Sequence, residues 1–346
     1  MQTLTETAYW SRNAIKYGIA FVLFLILARV AWQVGFGVYR HFFPAPPPKP
    51  TVLYGKLPEL RFPEIATTPL TYTLETPEGN LPQTATIMTV YVQPRPHSSL
   101  VALDEARTTA RRLGFDGTEE AISPNLYRFS KKDSPARLEM NIITGAFSLG
   151  YDLNADPAPL TSRAPSGEVA AATIRSFLSG ANLYPADFTK GKTVVTFLKN
   201  SDGKLSDALS LSDANFVRVD FFRENYNEIP IITGSGKQGN IWFLVSGSSR
   251  NNILTGVYRY FKVNLDDSST YPLKTSQEAW DELKNGSGKI ASPGAIGNNN
   301  VVIRRVYLAY YDDDQPQDFF QPVFVFEGDN GFLAYVPAVA SGYYGK

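Results

Sequence analysis

Residues 17–39 read YGIAFVLFLILARVAWQVGFGVY, an apolar stretch broken only by Arg29 and Gln33. As a helix at 1.5 Å per residue this run reaches about 34 Å, enough to cross a hydrocarbon core of about 30 Å with some tilt. It predicts one transmembrane helix in contact with the lipid bilayer, with a short tail (1–16) on one side and the bulk of the chain on the other. A cleaved signal peptide is the rival reading, with Arg12 and Lys16 as its positive flank and 17–28 as its apolar region. A cut after Ala31 would place Arg29 where a small residue is needed, and apolar residues continue through Trp32, Val34, Phe36 and Val38. An uncleaved anchor fits better. Tyr9, Trp10 and Tyr17 on one flank and Trp32, Tyr39, Phe42 and Phe43 on the other resemble interfacial aromatic belts.

Counting Lys and Arg does not orient the span, since Arg12 and Lys16 are matched by Arg40 and Lys49. A long C-terminal domain crosses largely regardless of such charges, so the expected arrangement is a cytoplasmic tail and an extracytoplasmic bulk on a single-pass protein of the cell membrane. Arg29 lies near the middle of the span, where an arginine costs about 2.5–3.5 kcal/mol on insertion scales. Two readings stand. A shifted or tilted helix lets the side chain snorkel to the interface, or Arg29 and Gln33, one turn apart on one face, present a polar stripe to a partner helix.

Outside the span the composition narrows the chemistry. The 33 basic residues balance 33 acidic ones, which argues against a nucleic-acid partner. There is no cysteine and there are two histidines, so disulfides, thiolate metal sites, iron–sulfur clusters and thiol nucleophiles are excluded. The 22 Phe and 19 Tyr, with much Thr and Val, favour strands. Five prolines fall within 44–50, a run that favours polyproline II at ~3.1 Å per residue and suits a spacer of about 20 Å. Residues 40–63 therefore read as a stalk whose outer part is an extended arm.

Beyond the stalk, helical and strand patterns alternate. Strand runs at 71–74 and 86–92 flank the turn-rich 77–80 and predict a hairpin. Leu100, Leu103, Ala106, Ala110 and Leu113 recur at helical spacing ahead of Gly114, and Leu138, Met140, Ile142, Phe147, Leu149 and Tyr151 alternate about Thr144-Gly145. Ser166 caps a second helix bearing Ala170, Ile174, Phe177 and Leu178, followed by strand runs at 193–198, 217–222, 241–245 and 255–263. Thr275 and Glu278 form a capping-box pattern for a third helix, followed by strands at 301–311, 322–326 and 332–336 with a hairpin turn at 328–331. The fold class is α+β. Three repeated units (64–157, 158–265 and 266–346) are expected, each an antiparallel sheet packing one face on a helix.

The segment from Ala102-Leu-Asp-Glu-Ala106 through Leu113-Gly-Phe115 to Leu138-Glu-Met-Asn-Ile-Ile-Thr-Gly145 resembles the PepSY-like module, in which a helix precedes strands ending in a Thr-Gly turn. The wider plan is similar to the extracytoplasmic regulators of the cell-wall sensor kinase, the YycH/YycI type. Residues 219–230 with 241–245, and 303–311 with 321–326, are the segments most like them. The resemblance implies a protein acting by contact with a membrane partner such as a sensor kinase, and no catalytic residues. The polyproline stalk and the additional N-terminal strand region depart from that family.

No sequence constellation carries chemistry. His41 and His97 have no second histidine in a plausible metal or triad pattern. The glycine-rich 234–239 and 285–289 lack the spacing of a phosphate loop and read as turns. Asp312-Asp313-Asp314 with Asp318, and Asn200-Ser-Asp-Gly203 with Asp207, lack the spacing of a Ca²⁺ loop and read as solvated turns. Glu224 and Glu228 are a conceivable glycosidase pair only if they sit ~5–9 Å apart. The expectation is a non-enzymatic interaction module without metal or cofactor, regulating or scaffolding an envelope partner. A structural subunit of a surface or secretion assembly is the alternative, and a carboxylate-dependent glycan enzyme ranks last.

Overall fold

The structure is a computed structural model, and it describes residues 4–42, 49–63, 65, 69–201, 203–248, 252–295 and 299–345. The proline run at 44–48, the aromatic flank at Phe43 and the side chains of Tyr39, His41 and Phe42 lie outside the described part. The chain divides into two compact units, Met1–Lys49 and Pro50–Lys346. The first is one helix, α1 (Leu4–Phe42), which extends past the apolar run at both ends. Its stretch Lys16–Phe36 has a mean hydropathy of 2.1 and is wholly exposed, long and apolar enough to cross a membrane.

The second unit is an α+β body. β1 (Thr71–Leu74) and β2 (Ile87–Val92) precede α2 (Ala102–Arg112), which leads into β3 (Glu119–Ser123), β4 (Leu126–Ser130), β5 (Ala136–Asn141) and β6 (Phe147–Tyr151). After α3 (Ala158–Thr161) and α4 (Gly167–Gly180) come β7 (Thr193–Ser201), β8 (Lys204–Asp207), β9 (Phe216–Phe221), β10 (Ile231–Thr233), β11 (Ile241–Ser246), β12 (Ile253–Tyr258) and β13 (Asn264–Pro272). α5 (Ser276–Lys284) is followed by β14 (Lys289–Ser292), β15 (Asn300–Asp312), β16 (Phe319–Phe320), β17 (Pro322–Gly328) and β18 (Leu333–Pro337).

The helices form where caps and spacing direct them. Ser166 accepts from Val169 N–H at the head of α4, and Thr275 and Glu278 complete a capping box at the head of α5. Each satisfies donors that the first helical turn leaves free. α2 buries Ala102, Ala106 and Ala110 and ends at Gly114, whose φ of +84° suits a residue without a Cβ. Leu100, expected on its buried stripe, is instead fully exposed, because it precedes the first helical turn.

Strands from residues 119–151 and 193–258 do not form two sheets. Apart from β10, they make one nine-stranded antiparallel sheet in the order β3-β4-β5-β6-β12-β11-β9-β7-β8, with β6 paired to β12. Joining the two strand runs there removes two edges that would otherwise expose unpaired backbone groups. α2 and α4 both cover one face, over a core that includes Ala110, Leu138, Met140, Ile174, Val219 and Phe243.

The second large sheet is mixed, not antiparallel. Its order is β1-β15-β17-β18-β14, and β1 and β10 run parallel to the two ends of β15. β17 carries Val323, Phe324, Val325 and Phe326, all fully buried because both faces are covered. Phe324 and Phe326 face α5 through Ala279, Trp280 and Leu283, while Val323 and Val325 face Leu60 and Phe62. The hairpin expected between 71–74 and 86–92 does not form, since β2 pairs with β13 and β16 in a separate three-stranded sheet. The connection is too long to impose pairing, and Tyr72 and Leu74 find their apolar neighbours around α5 and β15.

Residues 50–63 are extended, yet they are not a free spacer. Leu57 is fully buried and bridges Tyr344, and the hydroxyl of Thr51 and the backbone N–H of Leu53 both bond Ser269 Oγ. Leu60 and Phe62 supply the apolar cover of the mixed sheet.

Candidate functional site: a cleft beside a buried arginine

β15 ends in the first of the three aspartates, and the segment joining it to β16 begins with the other two. Reading them as a solvated turn is wrong for the first two: Asp312 and Asp313 are 3% and 6% exposed. A buried carboxylate needs a partner, and Asp312 has one in Arg223, two residues past the end of β9. Arg223 Nε donates to Asp312 Oδ2 at 2.9 Å, Nη1 to Asp187 Oδ2 at 2.6 Å and Nη2 to the Phe261 carbonyl at 2.7 Å. Its guanidinium also lies 4.5 Å from the centroid of the Tyr260 ring. Burial works against the charge of Arg223, but the Asp312 and Asp187 carboxylates outweigh it and hold the guanidinium protonated.

This arginine ties the nine-stranded sheet to the mixed sheet. Asp187 sits in the short turn after α4, and Asp312 is the last residue of β15. A second link is Asn240, whose Nδ2 donates to the carbonyls of Asp312 at 2.9 Å and Asp313 at 3.1 Å. Asp313 has no such cation: its Oδ2 is 4.0 Å from Arg61 Nε, and its Oδ1 accepts from Gln315 N–H at 3.2 Å. Burial pushes its carboxyl up to about 7.

Farther along the same loop is a cleft of about 450 Å³, between the arm at Pro58–Arg61 and residues 316–321. Arg61 donates to the Pro316 carbonyl, and Arg95 forms a bidentate pair with Asp318. Gln321 Nε2 donates to the Pro58 carbonyl at 3.0 Å, which fixes its amide. Gln317 is 8% exposed and Gln321 is 1% exposed. Among the described residues, neither Gln317 Nε2 nor Gln321 Oε1 has a hydrogen-bond partner. Leaving a buried donor or acceptor unmade costs about 1–3 kcal/mol, so this pair is a departure from ordinary packing.

Other candidates lie elsewhere. Arg29 and Gln33 are both on α1 and exposed, four positions apart. His97 is exposed, and neither Glu224 nor Glu228 borders the cleft. Glu228 instead occupies a tight turn closed by Tyr226 and Ile229, with φ +66°. The glycine-rich segments are turns: Gly236 N–H donates to the Thr233 carbonyl, and Asn285 caps α5 ahead of Gly286. Among the described residues no three His, Asp or Glu side chains form a group able to hold a metal.

Sequence reasoning missed Arg223, Asp187, Gln317 and Gln321. An acidic run placed directly after the apolar strand Val306–Tyr311 was the available signal, because a strand buried to its last residue carries its successor inward. Nothing local marks the glutamines.

No protein-family model matches the chain, and no curated protein matches it. Among solved structures it is similar to an uncharacterized protein from Eubacterium rectale ATCC 33656, with a TM-score of 0.40 and 12% identity, covering 80% of this chain and 90% of that one. It is also similar to the C-terminal domain of Bacillus megaterium YpeB, with a TM-score of 0.31 and 13% identity, covering 72% of this chain and 96% of that one.

Proposed function

We propose that this chain is a single-pass, membrane-anchored extracytoplasmic interaction module that regulates or scaffolds a membrane or envelope partner without catalysis. The observation that carries the reading is the helix Lys16–Phe36, apolar and wholly exposed, attached to a separately compact body of residues 50–346. Exposed apolar surface on this scale needs lipid or protein to cover it. Arg29 is the costly residue in the span, and a partner helix offering it a hydrogen-bonding group, with Gln33 on the same face, offsets that cost. Candidate partners are a sensor kinase or the membrane subunits of an envelope assembly.

The repeated-unit reading belongs with this proposal. α2 with β3–β6, and α4 with the strands β7, β9, β11 and β12, are two runs of a helix followed by four adjacent antiparallel strands. Their last strands, β6 and β12, pair antiparallel, and this matching order supports reading the first two of the three expected units as PepSY-like repeats.

Crosslinking in native membranes, followed by affinity recovery and mass spectrometry on the intact chain and on Arg29→Leu, tests the reading. The expected result is one membrane protein recovered with the intact chain and reduced at least tenfold with Arg29→Leu, at equal membrane insertion. Recovery of no specific partner from either chain would overturn it.

A further inference from the structure

The nine-stranded sheet carries α2 and α4 on one face, while on the other Tyr151, Leu153 and Leu160 pack over Phe216, Leu244 and Leu254. The rest of that second face holds an open trough of about 480 Å³, which crosses the junction of β6 with β12. We propose that the trough binds a carboxylated sugar. The C–H face of a pyranose ring lies on Trp242, the carboxylate pairs with Arg137, and hydroxyls bond Glu139 and Ser148. The inference goes beyond the anchored-module reading and does not rest on it.

Strand register sets the geometry. Glu139, Ser148, Val257, Trp242 and Asp220 are successive cross-strand partners on β5, β6, β12, β11 and β9. Leu138, Phe147, Phe243 and Val219 beside them point into the core under the helices, so alternation turns this row to the open face. Arg137 and Gly150, also cross-strand partners, lie two residues along from Glu139 and Ser148 on the same face. Trp242 and Glu139 stand three strand spacings apart, about 14 Å, with only Ser148, Gly150 and Val257 on the floor between. A trough of about 480 Å³ is of the size of small-molecule sites.

Gly150 and Trp242 are both placed for an occupant. Glycine weakens a strand and marks a bulge, a bend or the close approach of a ligand or another backbone. The pairing of Gly150 with Arg137 has no register shift, its φ is not positive, and a Cβ there would meet no atom within 4 Å. Nothing in the chain calls for glycine at this point, whereas a ring lying on the floor of the trough does. Trp242 is half-buried, and the Arg218 guanidinium stacks 4.0 Å from its ring centroid. Arg218 is held in turn by two bonds of 2.8 Å to Asp220, so the indole is fixed before a ligand arrives. Its remaining surface borders the trough and offers a partly negative aromatic face to C–H groups.

The polar groups select the ligand. Arg137 is exposed and makes no ion pair among the described residues. The acids near it are engaged: Glu139 Oε1 accepts from Arg128 Nε at 3.0 Å and Nη2 at 2.8 Å, and Asp152 Oδ1 accepts from the N–H groups of Asn154 and Ala155. Arg137 therefore calls for a carboxylate from the ligand, while Glu139 Oε2, without a partner among the described residues, calls for a hydroxyl donor. A lipid chain would desolvate Arg137 without pairing it, and an aromatic acid lacks the hydroxyls. An added peptide strand docks on a sheet edge, and this trough lies across a face. A sugar acid supplies the apolar ring face, the carboxylate and the hydroxyls together.

The test uses the full chain in lipid nanodiscs and titration calorimetry with four probes: tri-galacturonic acid, the disaccharide N-acetylglucosaminyl-N-acetylmuramic acid, chitotriose and tri-glutamate. One of the first two should bind with a millimolar Kd or tighter, and which of them binds identifies the source as a uronic or a muramic acid. Chitotriose, which lacks the carboxylate, and tri-glutamate, which lacks the ring, should each bind at least tenfold more weakly.

Gly150→Phe fills the floor of the trough from a position where a side chain meets no atom of the chain. It should weaken binding at least tenfold while leaving the thermal midpoint unchanged or higher. Arg137→Met should remove the preference for the carboxylated probe over chitotriose. Failure of both sugar acids with the parent chain, equal binding of tri-glutamate, or undiminished binding by a folded Gly150→Phe chain would overturn the proposal. None of these results bears on partner recovery through α1, so the two readings fail separately.

Discussion

Asp313 shows how burial of a single carboxyl builds a pH response into the fold. An unfolded carboxyl titrates near 4, whereas burial raises this one to about 7 in the folded chain, with the N–H of Gln315 and the charge of Arg61 opposing the rise. Between those two values the folded state keeps a proton that the unfolded state has released. The contribution of Asp313 to stability is therefore fully present below about pH 4 and is lost as pH rises through about 7. The thermal midpoint should fall from pH 5 to pH 8, and Asp313→Asn, which keeps an oxygen for Gln315 N–H, should flatten that fall. Parallel profiles for the two chains would show that the proton sits elsewhere. The identity of Asp313 was plain in the sequence, but its burial was not, because the residues that follow it, 314–318, are polar or prolyl and only the apolar strand ending at Tyr311 points inward.

At the scale of elements, the junction of β12 with its neighbours depends on a missing side chain. A Cβ on Gly256 would lie 2.0 Å from Cδ1 of Phe243 on β11, and the Phe243 ring is packed edge-on against Phe177 of α4. The ring has no room to move away, since Phe243 is fully buried. Gly256→Ala should cost about 3 kcal/mol, the upper part of the range for overpacking, measured as a lowered urea midpoint. Most of the elements in the second unit were legible: the caps of α4 and α5, the alternation of β5 and β6, and the Gly328–Gly331 hairpin, where Asn330 and Gly331 both have positive φ. β3 and β8 gave no signal because they are exposed edge strands with no buried face to impose alternation. β13 was hidden for a related reason, since Leu265, Asp266 and Asp267 are exposed and only its second half enters the core.

For the whole molecule, Arg223 links the nine-stranded and mixed sheets and should set how they unfold. Removing one partner from a buried ion pair costs about 3–5 kcal/mol because the remaining charges stay desolvated. Arg223→Met should lower the stability of residues 50–346 by about that amount. Arg223→Lys should recover part of it, since one ammonium cannot reproduce the fork to Asp312, Asp187 and the Phe261 carbonyl. Chemical denaturation followed by tyrosine fluorescence and circular dichroism reads both. A loss below 1 kcal/mol for Arg223→Met would mean that the pair is not what joins the sheets.

By itself the sequence determined the apolar span, the exclusion of cysteine chemistry, the α+β class and the places where the capped helices α4 and α5 begin. These are local properties, governed by run length, composition, capping and the spacing of apolar residues over one or two turns. Tertiary structure alone decided that β6 pairs with β12, that β1 and β10 flank β15 in parallel, and that Arg223 meets Asp187 and Asp312. It also decided that Gln317 and Gln321 border one cleft, each with one buried polar atom that has no partner among the described residues. Strand partners are chosen by which edges and apolar faces remain uncovered once the others have packed, and a buried charge is defined by neighbours tens of residues away. No window along the chain contains that information.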